Sequence, residues 1–247
     1  MPQYCGTTAG ARGVWWFDES SGNAADQTAN ARTLTNNNTV AFAAGNFNNA
    51  ADFGTANTNK TFSRTDASGY TGGDASISVW VKIRTEPSDT TYEFFNVHES
   101  TNSSELRLDY VDTAGTKSIR VARTKRSVIT DTATNNVTAL GTTAWHHIVF
   151  TYNSTSGVGT AYLDGSALAN TFTQTGAGTG GCNVTEVGGF SDADCLIGST
   201  YSASAYVDEV VFSSNVWSAT DVSDIYNRVD PPIGCPAVTF IPKVMIF

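Results

Sequence analysis

Apolar and polar positions alternate with a period of two along most of this chain, the pattern of half-buried β-strands. In "ASISVWVKIR" Ile77, Val79, Val81 and Ile83 fall on one face, and Ser76, Ser78, Trp80 and Lys82 on the other. "SELRLDYVD" and "KSIRVAR" alternate in the same way, joined by a hairpin turn at Asp112-Thr-Ala-Gly115. "WHHIVFTYN" and "GTAYLDG" make a second hairpin around Ser154 to Val158, and Asp164-Gly165 supplies a primed turn in which both central residues need positive φ. "CLIGS" and "AYVDEVVFSS" read as two further strands.

One segment is helical. "WSATDVSDIYNRV" opens with Ser218, with Asp221 three positions on as an approximate capping box, and Val222, Ile225, Tyr226 and Val229 form one stripe. A stiff linker from Asp230 to Pro236 then leads to the apolar tail "AVTFIPKVMIF". No tandem repeat or low-complexity linker divides the chain. The organisation expected is an N-terminal arm over 1–12, one all-β domain over 13–228, and a Pro-rich linker with apolar tail over 229–247.

Composition agrees with strands and polar turns. Of 247 residues, 40% are hydrophobic and 11% aromatic, enough for a full core, while only 15% are charged. A net charge of −9 excludes nucleic acid and anionic membranes as partners, since both need basic patches. The local exception, Arg120, Arg123, Lys125 and Arg126, alternates faces on a strand and reads as a solvated edge. No apolar run suits a secretory signal, and none approaches the ~18–20 residues that cross a bilayer. The expectation is a soluble chain that stays in its cell or leaves without secretion, as a virion component would.

Cys5, Cys182, Cys195 and Cys235 include no CxxC pair, which disfavours a zinc knuckle. Cys182 and Cys195 bracket a Gly-rich stretch and could close it. Cys5 and Cys235 could pair only where the two ends of the chain meet, and free buried thiols are the alternative.

Taken in order, several segments resemble the concanavalin A-like, laminin G-like (pentraxin-related) jelly-roll family. They are "GVWWFDESSGNAADQTANARTLT", "GNFNNAADFGTANT", "ASISVWVK", "WHHIVFTYN…GTAYLDG" and "CLIGS…YVDEVVFSSNVWSATDVSDIYN", covering Gly13 to Asn227. The resemblance implies a sandwich of two antiparallel sheets with the first and last strands adjacent. That adjacency would bring Cys5 and Cys235 near each other.

Candidate chemistry follows from both readings. Glycosidases of this superfamily carry alternate acids on one strand, in the pattern E-x-D-x-E. Here Asp208 and Glu209 are adjacent and point to opposite faces, and no strand offers two acids at i, i+2. No G-x-S-x-G, P-loop or H-E-x-x-H occurs, so no enzyme is expected. The resemblance further implies a calcium site at a loop rim, for which the matched acids are Asp18, Asp52 and Asp208. Asp208 shares its predicted face with Tyr206, Val210 and Phe212, the buried side. Its carboxylate there must meet either backbone amides or Trp indoles, or a cation. The stretch after "ADFG", Thr55-Ala-Asn57-Thr-Asn59, lacks the acids of the family's loop, which weakens calcium at that rim.

For a carbohydrate ligand the candidates are Trp80 on a polar-looking face, and Tyr92, Tyr201 and Trp217 near predicted loops, each able to stack on a sugar ring. The stretch "QTGAGTGGCNVTEVGGFSDADC" reads as a long loop suited to binding. His146 and His147, adjacent on a strand, face opposite sides and cannot chelate one ion together. The tail "VTFIPKVMIF" docks either on its own domain or on other copies or virion proteins. The function expected is a non-catalytic binding module for a surface glycan or protein, on a virion or, alternatively, at the cell surface. A purely structural decoration protein, a secreted adhesin and a glycoside hydrolase are the alternatives.

Overall fold

A computed structural model describes residues 10–55, 59–65, 70, 72–98, 104–125, 129–174, 184–188 and 203–227. Cys5, Cys182, Cys195, Cys235, Tyr201, the segment "CLIGS" and the tail lie outside the described residues. Among the described residues fifteen strands and one helix follow in chain order. The strands are β1 (Ala11–Trp15), β2 (Thr35–Asn37), β3 (Ala41–Ala44), β4 (Asn49–Asp52), β5 (Thr61–Thr65), β6 (Ala75–Ile83), β7 (Thr91–His98) and β8 (Ser104–Thr113). They continue with β9 (Thr116–Lys125), β10 (Ile129–Asn136), β11 (His146–Tyr152), β12 (Val158–Leu163), β13 (Ser166–Thr173), β14 (Val184–Val187) and β15 (Ala205–Ser213), before α1 (Ala219–Asn227).

These strands form two antiparallel sheets. One runs β13-β12-β11-β6-β15-β4-β3, with β1 also paired to β15, and the other runs β10-β9-β8-β7-β14-β5-β2. The first and last strands are therefore neighbours, as the family resemblance implies. Between the sheets lies the main core, to which β6 contributes Ile77, Val79, Val81 and Ile83, β11 contributes Ile148, Phe150 and Tyr152, and the opposite sheet Leu106, Leu108 and Tyr110. Alternation on both sheets thus supplies one continuous apolar layer.

The turns follow from local chemistry. Ala114 and Gly115 adopt φ of 49° and 82°, and Asp164 and Gly165 adopt 49° and 79°, so both hairpins close through primed turns. The stretch from Gln174 to Cys195 is not all loop. Its Val184–Val187 segment forms β14, paired to β5 and β7, because Val187 fills the inter-sheet core beside Phe62 and Phe95.

A smaller core lies on the outer face of the eight-stranded sheet, where α1 packs Val222 and Ile225 against Val14, Val149, Tyr162 and Val211. The helix starts as a reciprocal capping box: Ser218 Oγ accepts the Asp221 N–H at 3.1 Å, and Asp221 Oδ2 accepts the Ser218 N–H at 2.7 Å. No helix among the described residues is long and apolar enough to cross a membrane.

Candidate functional site

Cross-strand register builds a row over the outer face of the eight-stranded sheet. His147 pairs with Trp80, and Trp80 pairs with Asp208, so three side chains of β11, β6 and β15 stand side by side. Above them Tyr226 of α1 stacks on Trp80 at 5.9 Å between ring centroids, and Phe47 meets the same indole edge-on at 5.8 Å. Trp80 keeps only 7% of its surface exposed. It is a packing residue under the helix and not a sugar platform.

The other described aromatic candidates are buried too. Tyr92 points into the inter-sheet core, and Trp217 lies in the smaller core with its backbone N–H donating to Ser76 Oγ at 2.9 Å. Neither presents a ring face for stacking.

Asp208 lies on the outer face, because β15 carries a bulge. Glu209 takes a left-handed φ of 44° and the register with β6 shifts between Asp208 and Val211. Val207, Val210 and Phe212 then point into the main core, while Val211 joins the smaller one. The face shared with Val210 and Phe212 that plain alternation predicts is corrected by this one bulge.

Asp208 Oδ2 accepts the N–H groups of Asn46 and Phe47 at 2.9 and 3.0 Å. The turn it holds needs glycine at position 45, where a Cβ would approach Asn49 O to 2.5 Å and Asp208 Oδ2 to 2.7 Å. Asp18 grips the same turn from its other end, accepting Asn48 Nδ2 at 3.0 Å and the Asn49 N–H at 3.4 Å. Asp52 is elsewhere engaged, accepting the Gly54 N–H at 2.9 Å and paired to Arg84. N–H donors and a guanidinium thus engage Asp208 Oδ2, both oxygens of Asp18 and Asp52 Oδ1, while Asp208 Oδ1 is buried without a hydrogen-bond partner. Among the described residues no three acids, histidines or cysteines are grouped to hold a metal ion.

The two histidines take opposite environments. His147 is fully buried, with Nε2 against Ser78 Oγ at 2.8 Å, and burial pushes its imidazole down to about 3. His146 lies between two acceptors, Asp164 Oδ2 at 2.8 Å and Leu140 O at 2.9 Å. The bond to Asp164, opposed by burial, raises its pKa above the ordinary histidine value. Their partners are separate, as opposite faces require.

Beyond the helix, the outer face opens at one end. Trp145, just before β11, and Tyr206 on β15 are half-buried, with ring centroids 6.4 Å apart. The Arg84 guanidinium sits 5.2 Å over the Tyr206 ring, and Lys82 is paired with Tyr206 in register. Arg84 is in turn held by Asp52. Two partly open rings beside a planar cation and an acid form the arrangement that holds sugars, by stacking and by hydrogen bonds to hydroxyls. Of the residues expected from sequence, this patch contains only Asp52. Trp145 and Tyr206 do bear a signal: each lies two positions before a residue of the outward row, His147 and Asp208.

The architecture is that of a two-sheet antiparallel jelly roll with one covering helix. The chain belongs to the concanavalin A-like lectin/glucanases superfamily, whose family model matches residues 53–223. No curated protein sequence matches it. Among solved structures it is similar to domain 4 of an extracellular GH43 arabinanase from Geobacillus stearothermophilus, in complex with arabinotriose. That match has 17% identity and a TM-score of 0.58, covering 87% of this chain and 98% of the other. It is also similar to the binding domain of Paraclostridial Mosquitocidal Protein 1, at 13% identity and TM-score 0.65, over 89% of this chain and 52% of that one. The ligand-binding domain of botulinum neurotoxin serotype D, in complex with N-acetylneuraminic acid, matches at 11% identity and TM-score 0.63, over 89% and 51%. The chain spans about half the length of these toxin domains. At such identities the likeness is one of fold.

Proposed function

We propose that this chain is a non-catalytic glycan-binding module whose ligand stacks on Trp145 and Tyr206 and hydrogen-bonds Arg84, Lys82 and Asp52. The observation that carries this reading is the half-open Trp145–Tyr206 pair, two outward rings left partly exposed where the neighbouring Trp80 is covered by Tyr226 and Phe47. Similar folds solved with arabinotriose and with N-acetylneuraminic acid support a carbohydrate as the ligand class. A binding role without catalysis suits the patch, since its one acid, Asp52, is neutralised by Arg84 and bonded to Gly54. General acid–base work would need a second carboxyl group there.

The test is a glycan array with the full chain, followed by titration calorimetry on the best ligand. Trp145→Ala and Tyr206→Ala are each expected to weaken binding about tenfold or more, the equivalent of roughly 1.4 kcal/mol, at unchanged melting temperature. Full affinity in both variants, or no retained glycan at all, would overturn the assignment.

A further inference from the structure

His146 follows Trp145 in the chain, and its imidazole lies between two oxygens. Nδ1 faces Asp164 Oδ2 at 2.8 Å, and Nε2 faces the Leu140 carbonyl at 2.9 Å. Both oxygens accept, and neither can donate. A neutral imidazole carries one N–H, so it serves one oxygen and turns a lone pair on the other. Only the imidazolium donates to both. The charged groups around the ring favour that form: Asp164 from the turn after β12, and Glu86 from the segment after β6. The loop over 137–145 brings no charged side chain, β6 pairs Val81 with His146, and β8 presents Tyr110, bonded to Glu86 at 2.6 Å.

The two oxygens belong to differently anchored pieces of chain. Asp164 is fixed to β11, since its Oδ1 accepts the His147 N–H at 2.9 Å and its own N–H bonds the His147 carbonyl at 2.8 Å. At the other end, Tyr110 Oη accepts the Leu140 N–H at 3.2 Å, and Glu86 Oε1 accepts the Gly141 N–H at 2.5 Å. Between this pinned end and β11 run Thr142, Thr143 and Ala144, all exposed, and then Trp145. The bond from His146 to the Leu140 carbonyl closes that stretch, joining residues six positions apart. When the imidazole keeps one proton, the charged carboxylate is the stronger acceptor, so the Leu140 bond is the one lost.

We propose that His146 is a positioning residue for Trp145, a latch that closes the 140–146 loop and holds the Trp145 ring beside Tyr206 only when the imidazole carries both protons. The Asp164 bond, opposed by burial, raises the His146 pKa above the ordinary value. The latch is therefore closed below about pH 6.5 and opens as pH rises through the folded value. Its effect on ligand rests on the glycan-binding reading: affinity at Trp145 and Tyr206 is greatest where the latch is closed. The latch itself needs no ligand.

The test uses the full chain labelled with 5-fluorotryptophan and no added ligand. The Trp145 fluorine resonance is the one missing from Trp145→Phe. Its shift is followed from about pH 5 to about pH 9 alongside the His146 imidazole protons. An Asp208→Asn background removes a carboxyl group that titrates in the same range. The Trp145 resonance is expected to move with the midpoint of His146. Asp164→Asn keeps an acceptor for the His147 N–H and tolerates the turn's φ of 49°, and it should lower both midpoints together. His146→Gln should abolish the Trp145 titration while the Trp80 and Trp217 resonances keep their folded positions. A Trp145 resonance that stays still while His146 titrates would overturn the proposal. So would one that titrates unchanged in His146→Gln, or midpoints that separate in Asp164→Asn. Failure of glycan binding at this patch is read in a different experiment and leaves these resonances unaffected.

Discussion

The carboxylate of Asp208 holds the backbone N–H of Phe47 at 3.0 Å, joining residues 161 positions apart. Through that bond a buried acid on the last strand fixes the turn whose aromatic ring seals Trp80. Burial raises the Asp208 carboxyl to about 8 from its ordinary 3.8, against the lowering effect of the amides it accepts.

That shift predicts a pH dependence of stability. Between the two values the folded protein retains a proton that the unfolded chain releases, so stability falls as pH rises through this window. Asp208→Asn keeps an acceptor oxygen for the two amides and cannot ionise. Calorimetric melting temperatures of parent and variant should be close at about pH 4 and diverge in the variant's favour towards about pH 8. A constant difference across that range would refute the buried-acid account. Asp208→Ala, by contrast, strands two amides and should destabilise at every pH by about 1–3 kcal/mol or more.

His146 and His147 should titrate far apart although they are neighbours in sequence. His146 is raised by the bond to Asp164, so its stabilising contribution is complete below about pH 6.5 and is lost as pH rises through its folded value. His147 is depressed to about 3 by burial, so stability is lost as pH falls from about 6.5 towards that value. Imidazole proton shifts followed by NMR should show one group titrating above the ordinary value and one still neutral at about pH 4.5. Two coincident titrations near pH 6.5 would contradict both environments.

The hairpin turn at Gly165 and the helix should be thermodynamically coupled. Gly165 has φ of 79°, and a Cβ there would stand 2.9 Å from Tyr226 Cδ1. Gly165→Ala is expected to cost roughly 1–3 kcal/mol in urea unfolding. Adding Tyr226→Ala should recover the steric part and leave the backbone part, giving a double-mutant coupling away from zero. Strict additivity would show that the ring does not press on the turn.

Trp80→Ala should behave as a core truncation. It removes a buried indole stacked against Tyr226 and His147, and a loss of about 3–5 kcal/mol is expected. Where the variant stays folded, its affinity for a glycan bound at Trp145 and Tyr206 should fall far less than that of Trp145→Ala.

Much of the fold is legible in sequence because alternation and turn chemistry are local. The faces of β6, the Asp164-Gly165 turn and the Ser218–Asp221 cap each depend on residues within a few positions of one another. Three features are not local in that sense. The bulge at Glu209 moves Asp208 to the outer face, and nothing in "YVDEVVF" marks a left-handed residue at Glu209. Trp80 looks solvent-facing on its own strand because the helix that covers it arrives about 140 positions later. Glu93 and Asp109 face each other across β7 and β8, where a bulge at Glu93/Phe95 shifts the register, so a search for acids along one strand passes over them.

The position of β15 has a consequence for how the protein is made. This strand pairs with β6 along its length, with β4 near its start and with β1 towards its end. The three partners all lie within the first 83 residues, yet the strand that joins them is not synthesised until residues 205–213. While the ribosome works through the intervening hundred or so residues, β1, β4 and β6 wait with unsatisfied edges. The eight-stranded sheet is therefore completed late, through contacts of high sequence separation. Slow folding and an early need for shielding from other nascent chains are the expected cost of placing the joining strand there.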